Sequence, residues 1–166
     1  VAIVGAGPIG LASLLTAQFY SPAQIILIDT NAARLEVASR LGASACINVT
    51  NEDAVAAVKK LTDGVGVDCV IEAVGVPATF ELCQDLVAPG GVIANIGVHG
   101  VKADLHLETL WSQNIAITTR LVDTVSTPML LKTVRSGKLQ PGQLITHRFT
   151  LEDILSAYDT FRNAGE

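Results

Sequence analysis

The chain has 166 residues, enough for one domain with a sizeable core, and 49% of them are apolar against 16% charged, which excludes disorder as its general state. No apolar run approaches the roughly 18 residues of a membrane-spanning helix, because Gly, Pro or a charge interrupts each one. The net charge of −5, from 11 basic and 16 acidic residues, argues against nucleic acid as the main partner, although backbone amides at helix termini bind anions without any cation.

Residues 1–4 are apolar and stop at Gly5, as a buried strand does. The run opens without Met, basic leader or cleavage motif, so no signal peptide is expected and the chain reads as a fragment. Residues 8–19 carry Ile9, Leu11, Ala12, Leu14, Leu15 and Phe19 on a broad helical stripe. Residues 24–28 form a second buried strand ending at Asp29. Residues 31–41 are helical, with Leu35, Ala38 and Leu41 three apart, and Gly42 stands where a left-handed residue closes a helix. A short strand over 44–49 leads to Thr50 and Asp53, a capping pair for a helix bearing Val55, Val58 and Leu61.

Residues 67–72 make the fourth strand, and Pro77 opens a helix that runs to Val87. Pro89-Gly90-Gly91 then turns the chain into a fifth strand over 92–96, and residues 115–118 make a sixth. Thr127 and Pro128 start a helix that Gly137 ends. Short apolar strands interleaved with helices imply right-handed crossovers and a parallel sheet covered on both faces. The last thirty residues break that rhythm, with a strand-like run over 144–149 and a helix capped by Thr150 that carries Ile154, Ala157, Tyr158 and Phe161 on one side. They are expected to begin a different structural unit.

Cys46, Cys69 and Cys83 are spaced by 23 and 14 residues, so no CxxC pair or zinc ribbon is encoded, and Cys69 is expected to be a small buried hydrophobe. The segment with chemical content is Gly5-Ala6-Gly7-Pro8-Ile9-Gly10, a GxGxxG pattern that follows a strand and opens a helix. In that context Gly5 permits a tight turn, Gly7 lets a pyrophosphate reach the backbone, and Gly10 lets the helix pack against the strand. The positive end of the helix faces the phosphates. Pro8 sits where the amide it lacks has no intrahelical partner.

Asp29 stands at the end of the second strand, 19 residues after Gly10. A carboxylate there accepts both hydroxyls of an adenosine ribose and repels a 2′-phosphate, by about 4 kcal/mol for unit charges roughly 4 Å apart at an intermediate dielectric. That favours NAD over NADP; the alternative is that Asp29 only caps the next helix. Arg34 lies along the ribose or on a solvated helix face. In a doubly wound sheet the loops after strands four and five, Ala73-Val74-Gly75 and Ile96-Gly97-Val98, line the same ligand, unless their glycines merely serve turns.

GAGPIG, the strand IILID, the segment VDCVIEAVG, the turn PGGVIANIGV and the late THRFTLEDILSAYDTF resemble zinc-dependent medium-chain alcohol dehydrogenases, in the alcohol, polyol and threonine dehydrogenase branches. The likeness covers nearly the whole chain in order. It implies a six-stranded Rossmann domain over 1–137, and over 138–166 a piece of the C-terminal return into the catalytic domain. It also implies an NAD(H)-binding half of an alcohol or polyol dehydrogenase whose zinc ligands and proton relay lie in a catalytic domain absent from this chain. The alcohol substrate is then bound only with that domain, and the chain alone is expected to be inactive. The cofactor set that follows is Gly5, Gly7, Pro8, Ile9, Gly10, Asp29, Thr30, Arg34, Val74, Gly75, Ile96, Gly97, Val98, Thr119, Arg120 and Leu121, with no catalytic and no metal-binding residue.

Arg120 departs from the small or apolar residue of similar sequences and is expected to face solvent. His99 is expected to be a solvated loop residue, Glu72 a cap or surface group, and Trp111 a core or interface anchor. His106 and His147 match no ligand spacing. A cytoplasmic homodimer or homotetramer is expected, joined through the sixth strand as an open sheet edge; the alternative is a monomer whose edge is covered by residues 144–164. Two rival readings remain, a stand-alone NAD-sensing module and the cofactor domain of a zinc-free quinone-type reductase.

Overall fold

The computed structural model describes residues 1–122 and 124–163. Its strands are β1 (Ala2–Val4), β2 (Ile26–Asp29), β3 (Ala45–Asn48), β4 (Val67–Glu72), β5 (Val87–Asn95) and β6 (Ala116–Thr119). They form one sheet in the order β3-β2-β1-β4-β5-β6, and every neighbouring pair is parallel. The helices are α1 (Pro8–Ala17), α2 (Ala32–Arg40), α3 (Ala54–Leu61), α4 (Pro77–Leu86), the short α5 (Leu107–Leu110), α6 (Thr127–Arg135) and α7 (Ile154–Arg162). This is the doubly wound α/β fold that the strand–helix alternation implies.

The central strands are apolar on both sides because both sides are covered. Successive residues of β1 point to opposite faces, so Ala2 and Val4 join a cluster with Ile26, Ile28, Val58, Val70, Cys83 and Leu86, while Ile3 joins Leu14, Leu27, Leu35 and Ala38. Helices α3 and α4 therefore back one face, and α1 and α2 the other. The chain winds outward from β1 in one direction to β3 and then resumes on the other side at β4. The strand order reverses between β1 and β4, which opens a crevice at their carboxyl ends.

Several local expectations are corrected. The first helix gives way after Ala17 to a 3-10 turn over Gln18–Tyr20. Asp53 is the residue that caps α3, its side chain accepting from the Ala56 amide, and Thr50 bonds instead to the Asn48 side chain. Pro89-Gly90-Gly91 lies inside β5, which starts at Val87 and passes the triplet at an irregularity in its pairing with β4. Cys69 is half-buried rather than buried, as is Ile71 two residues on. Thr127 is the first residue of α6, and Ser126 precedes it without a side-chain cap. The expected strand over 144–149 does not form; a 3-10 turn spans Pro141–Leu144 and the chain beyond it is irregular up to Thr150.

Coverage falls off toward β6. All four of its residues are exposed, and Trp111, expected as an anchor, is 77% exposed. Residues 144–163 do not cover this edge, and residue 164 of the alternative lies outside the described residues.

Candidate functional site

The first wall of the crevice is built where β1 meets α1. The Gly5 amide donates to the Ile28 carbonyl at 2.8 Å, and Gly5 turns with φ +101°, a left-handed value that a side chain resists. A Cβ on Gly10 would run into the Gly5 carbonyl oxygen, so α1 starts tight against the strand only because residue 10 is Gly. Gly7 differs: its backbone is extended (φ −72°, ψ −176°), and a Cβ there would meet nothing within 4 Å. Gly7 is the N-cap of α1 and supplies no capping side chain, and Pro8 follows. The positive end of the helix therefore starts uncapped, with open space beside Gly7.

Asp29 closes this wall. Its Oδ2 accepts from the Ala6 amide at 2.6 Å and its Oδ1 from the Asn31 amide at 2.8 Å, so the tip of β2 is tied to the glycine loop. The cap of α2 is Asn31, whose side chain accepts from the Arg34 amide. Asp29 thus does not serve as the helix cap, and each of its oxygens keeps a further lone pair for an incoming hydroxyl. Thr30 is exposed beside it, and Arg34 is half-buried in the first turn of α2.

The second wall is built after β4 and β5. Glu72, Val4 and Asn95 are level in the sheet. Glu72 is fully buried, which overturns its expected role as a cap or surface group. Its Oε1 accepts from the Val74 amide (3.0 Å), the Gly75 amide (2.9 Å) and the Thr79 hydroxyl (2.6 Å). Its main-chain carbonyl accepts from the amides of Ile96 and Gly97. Gly75 has φ +90°, and a Cβ there would strike the Val98 carbonyl; one on Gly97 would strike Glu72 Oε2 and the Gly75 backbone. Both glycines are thus close-approach residues, and the two loops touch through them.

His99 is also not the solvated residue expected. Its Nε2 lies 2.9 Å from Asn95 Oδ1 and 3.5 Å from Glu72 Oε2, and its ring meets Phe80 edge-on at 5.9 Å. Burial, and after it the Glu72 charge, pushes the Cys83 thiol well above its ordinary range, so it is no nucleophile.

Comparison with known proteins now decides the family. A profile of the family described as zinc-binding dehydrogenase matches residues 8–134. The chain belongs to this family. An alcohol dehydrogenase from Cupriavidus necator is 36% identical over 98% of this chain and 46% of its own length. The zinc-dependent alcohol dehydrogenase 2 from Streptococcus pneumonia, in its apo form, superposes with a TM-score of 0.95 at 50% identity, covering 98% of this chain and 48% of that one. A zinc-binding dehydrogenase from Sinorhizobium meliloti 1021, bound to NADP, superposes with a TM-score of 0.88 at 25% identity over 96% of this chain and 47% of its own. The chain spans about half the length of the relatives it matches.

Within this zinc-binding dehydrogenase chain, the glycine loop, Asp29, Val74, Gly75, Ile96, Gly97 and Val98 come together at the carboxyl ends of β1, β2, β4 and β5. Ile9, Val74 and Val98 leave apolar surface exposed around the opening. Thr119, Arg120 and Leu121 follow the same end of the edge strand and are exposed. Among the described residues no group of three or more His, Cys, Asp or Glu is placed to hold a metal ion. Sequence reasoning missed that Glu72, Thr79, Asn95 and His99 hold the second wall together. The available signal was the acid that ends the strand VDCVIE on the buried side, opposite in exposure to Asp68, directly before a Gly-containing turn.

Proposed function

We propose that this chain is the NAD(H)-binding part of a zinc-dependent alcohol or polyol dehydrogenase. The observation that carries the reading is the bond between the Asp29 carboxylate and the Ala6 amide, which sets an acid for ribose hydroxyls beside an open, uncapped helix start suited to a pyrophosphate. The residues fit a dinucleotide: Gly7, Pro8 and Ile9 face the phosphates over the turn that Gly5 and Gly10 make possible, Asp29, Thr30 and Arg34 flank the adenosine ribose, and Val74, Gly75, Ile96, Gly97 and Val98 flank the nicotinamide half. Thr119, Arg120 and Leu121 stand at the far side of that half, with Arg120 turned to solvent. When bound, the nicotinamide supplies the hydride acceptor or donor for an alcohol carbon.

On this reading residues 1–137 are the cofactor domain and 138–166 lead into the catalytic domain. Zinc, alcohol and proton relay belong to that domain, and the chain alone turns over no alcohol. The whole enzyme acts in the cytoplasm as a homodimer or homotetramer. Titration of the chain with NADH and NADPH tests the cofactor assignment. NADH binds more tightly, because the Asp29 carboxylate meets a 2′-phosphate with repulsion; equal or tighter NADPH binding removes the NAD preference. Metal analysis after dialysis gives no stoichiometric zinc, and one tightly held zinc per chain contradicts the division of labour.

A further inference from the structure

Nothing in the cofactor reading requires a fully buried carboxylate at the tip of β4, and an ionisable side chain is rarely buried without a structural or chemical use. Glu72 gathers the two loops of the second wall onto one residue. Its Oε1 takes two amides of the β4 loop and the hydroxyl of Thr79 at the start of α4, and its main-chain carbonyl takes two amides of the β5 loop. Its Oε2 presses into the space that a side chain at residue 97 would need. That oxygen has no hydrogen bond among the described residues, and His99 Nε2 lies 3.5 Å from it. Asn95 holds the ring in place: its Nδ2 donates to the Gly97 carbonyl at 3.1 Å, so its Oδ1 receives the Nε2–H. Carboxylate, imidazole and amide therefore form one knot beneath Val74, Gly75, Gly97 and Val98.

We infer that Glu72 is a positioning residue for the nicotinamide half of the cofactor, acting through the two loops it fastens and touching no ligand itself. The inference rests on the nucleotide-binding reading and deepens it. Asp29 and the glycine loop lie on the other wall and share no hydrogen bond with Glu72. The two walls touch where Val74 packs on Gly5, but each is fastened by its own carboxylate, and disturbing the Glu72 knot affects chiefly the nicotinamide half.

Glu72→Gln is the test. The amide oxygen can keep the three donors of Oε1, but its NH2 then faces the His99 Nε2–H and crowds Gly97. Affinities for NADH and for ADP, which lacks the nicotinamide riboside, are measured on the chain alongside the melting temperature. NADH binding falls about tenfold, while ADP binding stays within about twofold of the unaltered chain. Amide hydrogen exchange at Val74 and Gly75 quickens in the same variant. Equal loss of both ligands, or loss of neither, overturns the inference. If Glu72→Gln does not fold, Thr79→Val decides: it removes one donor from Oε1 and gives a roughly threefold loss confined to NADH, whereas an unselective loss or no loss overturns the inference. An unaltered chain that binds neither NADH nor ADP overturns the nucleotide reading itself, and the inference with it.

Discussion

Asp29 and Glu72 end the two strands that flank β1, and both are carboxylates that accept backbone amides, yet their surroundings differ. Asp29 is part-buried, holds one amide on each oxygen and keeps lone pairs toward the open crevice. Glu72 is sealed, loads three donors on one oxygen and turns the other against a glycine and a histidine. The first wall thus leaves a carboxylate with open valence toward the crevice, as the proposed ribose contact requires. The second is a fastened pair of loops whose carboxylate is internal. Both acids lie near the crevice; Asp29, with room left on each oxygen, is the one proposed to bind, and Glu72, with one oxygen filled and the other enclosed, the one proposed to shape.

The sharpest way to break this comparison is through the glycines. Gly10→Ala drives a methyl into a main-chain carbonyl that has no room to retreat, and a loss of about 3 kcal/mol is expected, read as a fall in melting temperature. Gly97→Ala on the other wall meets the Glu72 carboxylate and the Gly75 backbone, and costs about 2 kcal/mol with selective loss of NADH over ADP. A variant at either position as stable as the unaltered chain contradicts the packing described.

Asp29→Ala removes the acid proposed for the ribose and leaves the Ala6 and Asn31 amides without their acceptor. NADH and ADP affinities fall together, about tenfold, or roughly 1.4 kcal/mol, and the margin over NADPH narrows. Calorimetric titration showing a loss confined to NADH would place Asp29 in the wrong half of the site. Gly7→Ala probes the same wall without strain, since the backbone there is extended and the space is open. Stability stays within about 0.5 kcal/mol, while both ligands weaken because the methyl stands over the phosphate-facing amides. Unchanged affinity argues against phosphate at that helix start.

The smallest effect on either wall is expected from Ile117→Lys. Ile117 is 37% exposed on β6, the edge of the sheet, where an unpaired apolar strand invites pairing with a second copy. Sedimentation of the unaltered chain at micromolar concentration should show a dimer and that of the variant a monomer, with NADH binding retained in both. A monomeric unaltered chain, or a dimer indifferent to the lysine, counts against edge pairing.

The sequence by itself determined the alternation of elements, the parallel sheet, the glycine turn and the acid at the tip of β2. Each of these depends on residues close together in the chain: an apolar run ending at Gly5, a helix opened by Pro8, a second run ending at Asp29. Local turn chemistry and strand burial suffice for them. The tertiary structure alone decided the fate of Glu72 and His99. Their partners are Gly75 and Gly97 from two different loops and Asn95 from the end of β5, and only the level pairing of β4 with β5 brings them to one point. It also decided that Pro89-Gly90-Gly91 passes within a strand, and that residues 144–149 form none. A strand needs a neighbour to pair with, and the presence of a neighbour is a property of the assembled sheet that no window of sequence contains.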